Sequence, residues 1–266
     1  MSANATPAPR APMVVTLGGG GAYALGFNMG IADGLRAGGI DISGVPLMGT
    51  SGGAHSAVAI ATGMTFDEVA AIWQPYVESS GAVWGKALPL ADELYGSRAI
   101  PEGGSAAGVA IRLLGFKREA LWAADHPLPS IVAASSSIVP FVRPTKVGKR
   151  RYIDGGYRSN TSGDLAPDAD VNLILAPFAF KSQGFVGRTA ARHLAKEPGR
   201  WERRTGGRAI VVRPSDAILA IEFKGIRAMS DTNLGRQIHG LAIEIGEQLA
   251  ATLRRDHAEV ATALAI

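Results

Sequence analysis

Gly49-Thr50-Ser51-Gly52-Gly53 fits G-x-S-x-G, the turn in which a strand passes sharply into a helix and exposes a serine hydroxyl. Glycines flank the serine because a side chain would clash in so tight a turn. A helix starting at Ser51 also sets its N-terminal N–H groups and positive dipole end beside the nucleophile. Upstream, the run Gly18 to Gly21 offers backbone N–H groups without side-chain cover, which suits an oxyanion hole for acyl transfer. The competing reading is a dinucleotide fingerprint, since Gly19-x-Gly21-x-x-Ala24 is a permitted variant. That reading wants an acidic residue at the C-terminal end of the second strand. Asp41 lies before that strand and Ser51 occupies its end, so acyl chemistry fits better.

A serine nucleophile needs a base. His55 is four residues on, so it lies one turn deeper along the helix flank and not over the serine oxygen. An α/β-hydrolase-type Ser-Asp-His triad would draw on His193, His239 or His257, but that fold usually builds several strands before its nucleophile. Here Ser51 follows only the second strand. A different arrangement shows in "RRYIDGGYRSN" (150–160), where Asp154 ends an apolar-flanked strand and two glycines let the chain turn.

These residues need a framework to hold them. "MVVTL" (13–17) and "VPLMG" (45–49) read as buried strands. A helix follows each, one from Ala22 to about Arg36 and one ending near Gly63. Thr65 three residues before Glu68 has capping-box spacing for a further helix. Strand-helix alternation predicts an α/β fold with a parallel sheet. Residues 79–128 are rich in Gly, Pro and Ser and read as a lid-like variable segment with a helix at "GVAIRLLG" (108–115). Further strands are expected at "SIVAASS" (130–136), at a hairpin ending on Asp154, at 171–178 and at 208–214. The tail from Asp231 to about Arg255 reads as a long amphipathic helix. No internal repeat appears, so the expectation is one domain over 13–266 after a disordered segment 1–12.

Composition sets wider bounds. The 266 residues suffice for one large core, and 34 glycines point to tight turns or close backbone approaches. A net charge of +4 leans toward anionic partners without naming one. Without cysteine there is no disulfide or thiolate metal site, and the histidines lack zinc-ligand spacing. "MSANATPAPRAP" does not read as a secretory signal, and no apolar run is long enough to span a bilayer. A cytoplasmic protein is expected, with peripheral membrane contact open. Trp73, Trp84, Trp122 and Trp201 are expected mostly to fill the core.

In order, "LGGGGA", "GTSGG" and "DGG" resemble the patatin-like phospholipase family, a likeness that extends through "GTSGGAHSAVAIATGMTFDEVAAIW" and "ASSSIVPFVRP". The resemblance implies a three-layer α/β/α fold with a mainly parallel sheet and a lipid acyl-ester hydrolase working through an acyl-enzyme. It implies Ser51 as nucleophile, Asp154 as general base without histidine, and the N–H groups of Gly19, Gly20 and Gly21 as oxyanion hole. Lipid or a small acyl ester is then the substrate, and neither cofactor, metal nor nucleic acid is expected. One departure bears on substrate: the family commonly has Arg or Lys shortly after the glycines, where this chain has Tyr23. Arg143, Arg150, Arg151 and Arg158 are candidates to replace that charge.

Overall fold

The structure, a computed structural model, describes residues 10–80, 87–178, 184–221 and 226–266. In chain order the strands are β1 (Ala11–Leu17), β2 (Pro46–Thr50), β3 (Ser105–Arg112), β4 (Lys117–Trp122), β5 (Thr145–Val147), β6 (Arg150–Asp154), β7 (Ala169–Leu175) and β8 (Arg208–Val212). The helices are α1 (Gly21–Ala37), α2 (Gly52–Ala61), α3 (Phe66–Ser80), α4 (Ala87–Tyr95), α5 (Leu128–Ser135), α6 (Gly184–Leu194), α7 (Glu197–Thr205), α8 (Asp216–Leu219), α9 (Thr232–Asp256) and α10 (Ala258–Ala263).

The strands form one eight-stranded sheet in which β3, β2, β1, β7 and β8 run parallel. Along β1, Met13, Val15 and Leu17 join a core with α1, α2 and α9, while Val14 joins another with Trp201 of α7. Side chains alternate between faces along a strand. A strand covered on both faces therefore reads as a continuous apolar run, as "MVVTL" does.

α1 is buried over most of its length and lies between the sheet and α9. Gly26, Gly30 and Gly34 recur every fourth residue on the side facing α9. A Cβ on them would come within 2.0 Å of the Gly235 carbonyl oxygen, 2.4 Å of that of His239 and 2.1 Å of that of Ile243. The two helices thus pack backbone to backbone. The capping box of α3 forms as expected: the Glu68 carboxylate accepts from the Thr65 N–H at 2.7 Å, and the Thr65 hydroxyl accepts from the Glu68 N–H at 3.2 Å. Asp231 caps α9 through the N–H groups of Asn233 and Leu234.

Several expectations are corrected. "GVAIRLLG" begins in β3 and runs into the following turn instead of forming a helix, so the segment 79–128 supplies an interior strand of the sheet and is not simply a lid. "SIVAASS" falls in α5 and just past its end, not in a strand. Pro127 and Pro129 start that helix, a position where a missing N–H carries no penalty. Ala11 and Pro12, placed in the disordered segment, open β1, while residues 1–9 lie outside the described residues. Trp73 and Trp201 are buried and Trp122 half-buried, and Trp84 lies outside the described residues. Among the described residues, no helix is long and apolar enough to cross a membrane.

Candidate active site

Sheet register brings the site together. β3 pairs with β2 up to Thr50 opposite Val109, and with β6 from Asp154 opposite Ala110. β4 covers β3 from Ala107 to Arg112, so β2 and β6 must share the other edge of β3, end to end. β2 runs parallel and β6 antiparallel to β3, so their C-terminal ends meet head-on. Ser51 and Asp154 leave the sheet at that junction. Gly155 has to be small there, because a Cβ would sit 2.5 Å from the Val109 carbonyl oxygen and 3.2 Å from the Thr50 methyl.

Ser51 has φ 54° and ψ −121°, a strained conformation for a residue with a side chain. Ser135 holds the turn: its hydroxyl accepts the Ser51 N–H at 2.9 Å and donates to the Val109 carbonyl at 2.7 Å. Asp154 is buried, accepts the Gly156 N–H at 2.7 Å and shares the wall of one cavity with Ser51. Burial pushes its carboxyl up to about 6, against the lowering effect of the Gly156 N–H and the nearby Ser51 hydroxyl. A buried carboxylate beside a serine and titrating there is suited to take a proton near neutral pH.

The glycine run divides in role. The Gly18 N–H donates to the Leu175 carbonyl at 2.9 Å and the Gly19 N–H to the Asn160 carbonyl at 3.0 Å. Gly19 is therefore not a free donor for an oxyanion; it lies against Ser51, where a Cβ would be 3.2 Å from the Ser51 Cβ. The N–H groups of Gly20 and Gly21 have no acceptor among the described residues.

Two cavities flank Ser51. The larger, about 340 Å³, is bounded by Gly20, Ser51, Asp154, Tyr157, Asn160 and Phe178, with His193 at its wall. A narrow one of about 50 Å³ lies between Gly21, Ser51, His55, Trp73 and Leu90. His55 is buried beside Trp73, with ring centroids 4.7 Å apart, and burial pulls its imidazole down to about 3. The Tyr95 hydroxyl donates to the His55 carbonyl at 3.1 Å, so at 3.3 Å the Nδ1–H donates back to the Tyr95 oxygen. Among the described residues no histidine hydrogen-bonds Ser51; His239 instead pairs with Asp33 at 2.8 Å.

Tyr23 is buried with its ring 4.9 Å from Phe178, so the position where the family pattern puts a cation belongs here to the core behind the cavity wall. Arg143, Arg150, Arg151 and Arg158 are exposed, and none of them bounds either cavity. Asn160 was missed in the sequence. It takes the Gly19 N–H on its carbonyl, lines the larger cavity, and has a buried side-chain oxygen without a partner among the described residues. Glu197 was missed as well: it accepts from Ser159, from Thr161 at 2.5 Å and from the Gly163 N–H at 3.0 Å, anchoring the segment on either side of Asn160. Asn160 lies six positions after Asp154, a hint available in "DGGYRSN"; nothing local marks Glu197.

No family model matches the chain, and no curated protein matches it. Among solved structures, VipD from Legionella pneumophila is similar over 90% of this chain and 67% of its own, at 14% identity and a TM-score of 0.42.

Proposed function

We propose that the protein is a patatin-like lipid acyl-ester hydrolase with a Ser51–Asp154 dyad and a three-layer α/β/α fold. The observation that carries the reading is the juxtaposition, at one cavity, of Ser51 on a strained strand-to-helix turn and the buried Asp154 carboxylate, raised to about 6. Ser51 Oγ attacks the ester carbonyl as Asp154 takes its proton. The oxyanion is received by the N–H groups of Gly20 and Gly21, with Gly19 shaping the floor. Asp154 returns the proton to the departing alcohol and then activates water to hydrolyse the acyl-enzyme. The apolar cavity bounded by Phe178 and Tyr157 accommodates the acyl chain. Among the described residues no Arg or Lys bounds either cavity beside Ser51, so a neutral lipid or short acyl ester suits the site better than one that demands a phosphate ligand beside the nucleophile.

The test is turnover of a chromogenic acyl ester together with labelling of the serine by a fluorophosphonate. Wild type is expected to do both, and Ser51→Ala neither. A Ser51→Ala protein as active as wild type, or activity that vanishes with His55→Ala and survives Asp154→Asn, would overturn the dyad.

A further inference from the structure

Past the Ser51–Asp154 junction, the sheet continues as two hairpins. In β3–β4 the turn holds Leu114, Gly115 and Phe116, and in β5–β6 it holds Gly148 and Lys149. Register puts them level, because Arg112 pairs with both Lys117 and Tyr152. Leu114 lies four residues beyond Ala110, so at about 3.3 Å per residue the tips stand roughly 13 Å past the catalytic pair. They project from the same sheet edge that carries the larger cavity.

The β3–β4 tip is apolar where a turn has no structural need of it. Leu114 is 86% exposed, more than any other large apolar side chain among the described residues, and Phe116 is 57% exposed. Phe116 also has φ 47°, a left-handed conformation that disfavours an aromatic residue and suits Asn or Gly. Folding alone would select against this side chain here. Around the tips, Lys117, Lys146, Lys149, Arg150 and Arg151 are exposed. A groove of about 620 Å³ between the hairpins contains Lys117, Arg118, Lys149 and Arg150, with Glu119 as the carboxylate among its lining residues. Glu119 is held by Arg112 at 3.4 Å and Arg150 at 3.7 Å. Lys117, Lys146 and Lys149 have no carboxylate partner among the described residues.

Exposed apolar side chains beside three lysines without carboxylate partners among the described residues complement one surface in particular: acyl chains under anionic headgroups. We propose that the β3–β4 and β5–β6 tips dock the protein on an anionic lipid bilayer, Leu114 and Phe116 entering the interface while Lys117, Lys146 and Lys149 engage headgroups. Val139 and Tyr157, 39% and 51% exposed, add apolar surface at the cavity: the Tyr157 hydroxyl donates to the Val139 carbonyl, and Tyr157 and Ile138 line the cavity. The surface would thus present the cavity mouth to the bilayer. The proposal rests on the lipid-hydrolase reading for its purpose, but docking is measurable without turnover.

The experiment is vesicle co-sedimentation of the Ser51→Ala protein, using phosphatidylcholine alone and phosphatidylcholine mixed with phosphatidylglycerol. Binding is expected to the mixed vesicles, weakened by salt. Lys117→Glu with Lys149→Glu should lower partitioning by about twentyfold or more, at about fivefold per cation lost. Phe116→Asn should lower it about tenfold through lost apolar burial, while leaving thermal stability unchanged or higher, which separates docking from misfolding. Equal partitioning into both vesicle types, no partitioning, or variants that bind like their parent would overturn the proposal. Turnover of a soluble short ester by the same variants in the Ser51 background should stay at the wild-type level. Loss of that activity in wild type itself would count against the hydrolase reading and leave the binding result standing.

Discussion

Ser51 sits at φ 54° because the chain must leave the sheet and enter α2 within one residue. That strain predicts an ordering of stabilities. Ser51→Gly and Ser51→Ala should both be inactive, but in denaturant titration the glycine variant should be the more stable by about 1 kcal/mol, since glycine adopts this conformation without penalty. Asp154 carries the complementary prediction. Its carboxyl is raised to about 6, chiefly by burial, so it must lose its proton before it can act as base. A plot of kcat/KM against pH should rise through about 6 and lose activity below it. Asp154→Asn should cost about 10²–10⁴-fold in turnover, yet raise stability at pH 7 by up to about 3 kcal/mol, because it removes a buried charge held some two pH units from its ordinary value.

Between elements, the same substitution should have opposite signs at different places. Gly34 of α1 faces α9 with no room for a Cβ, whereas Gly240 of α9 is exposed with nothing within 4 Å. Gly240→Ala should stabilise the protein by about 1 kcal/mol through helix propensity. Gly34→Ala should destabilise it by about 1–3 kcal/mol despite the same propensity gain, because two backbones must part. Thermal or denaturant melts of the two variants check both signs. Gly26, Gly30 and Gly34 were plain in the sequence as glycines every fourth residue, but helical spacing of Leu25, Met29 and Leu35 drew attention to the sheet side alone. The strand-helix units around Gly18–Gly21 and Ser51 were legible because each is local: an apolar run, a glycine turn, a helix. The reversed assignments of 108–115 and 130–136 have a common cause. A short apolar run looks alike as a buried strand or a buried helix, and only its neighbours in space decide.

For the whole molecule, two buried groups pull stability in opposite directions as pH falls. His55 is depressed to about 3, so its contribution is complete above the unfolded value of 6.5 and is lost on acidification, by about 2 kcal/mol at pH 5. Asp154 is raised, so its penalty is complete above about 6 and is relieved as pH falls toward 3.8, returning about 1.4 kcal/mol by pH 5. The wild type should therefore change little between pH 7 and 5. Asp154→Asn should lose about 2 kcal/mol over that interval, and His55→Phe should gain stability; unfolding free energies at both pH values decide it. Sequence by itself determined the local chemistry: the G-x-S-x-G turn, the glycine run, the capping box of α3 and the acidic turn at Asp154. The fold decided what spacing cannot carry. Ser51 and Asp154 meet because β2 and β6 share one edge of β3, Gly19 loses its N–H to Asn160, Ser135 clamps the turn, and the hairpin tips bring Phe116 and Lys149 level. Each of these is a contact between residues far apart in the chain, set by sheet register, and register follows from the packing of all the strands together.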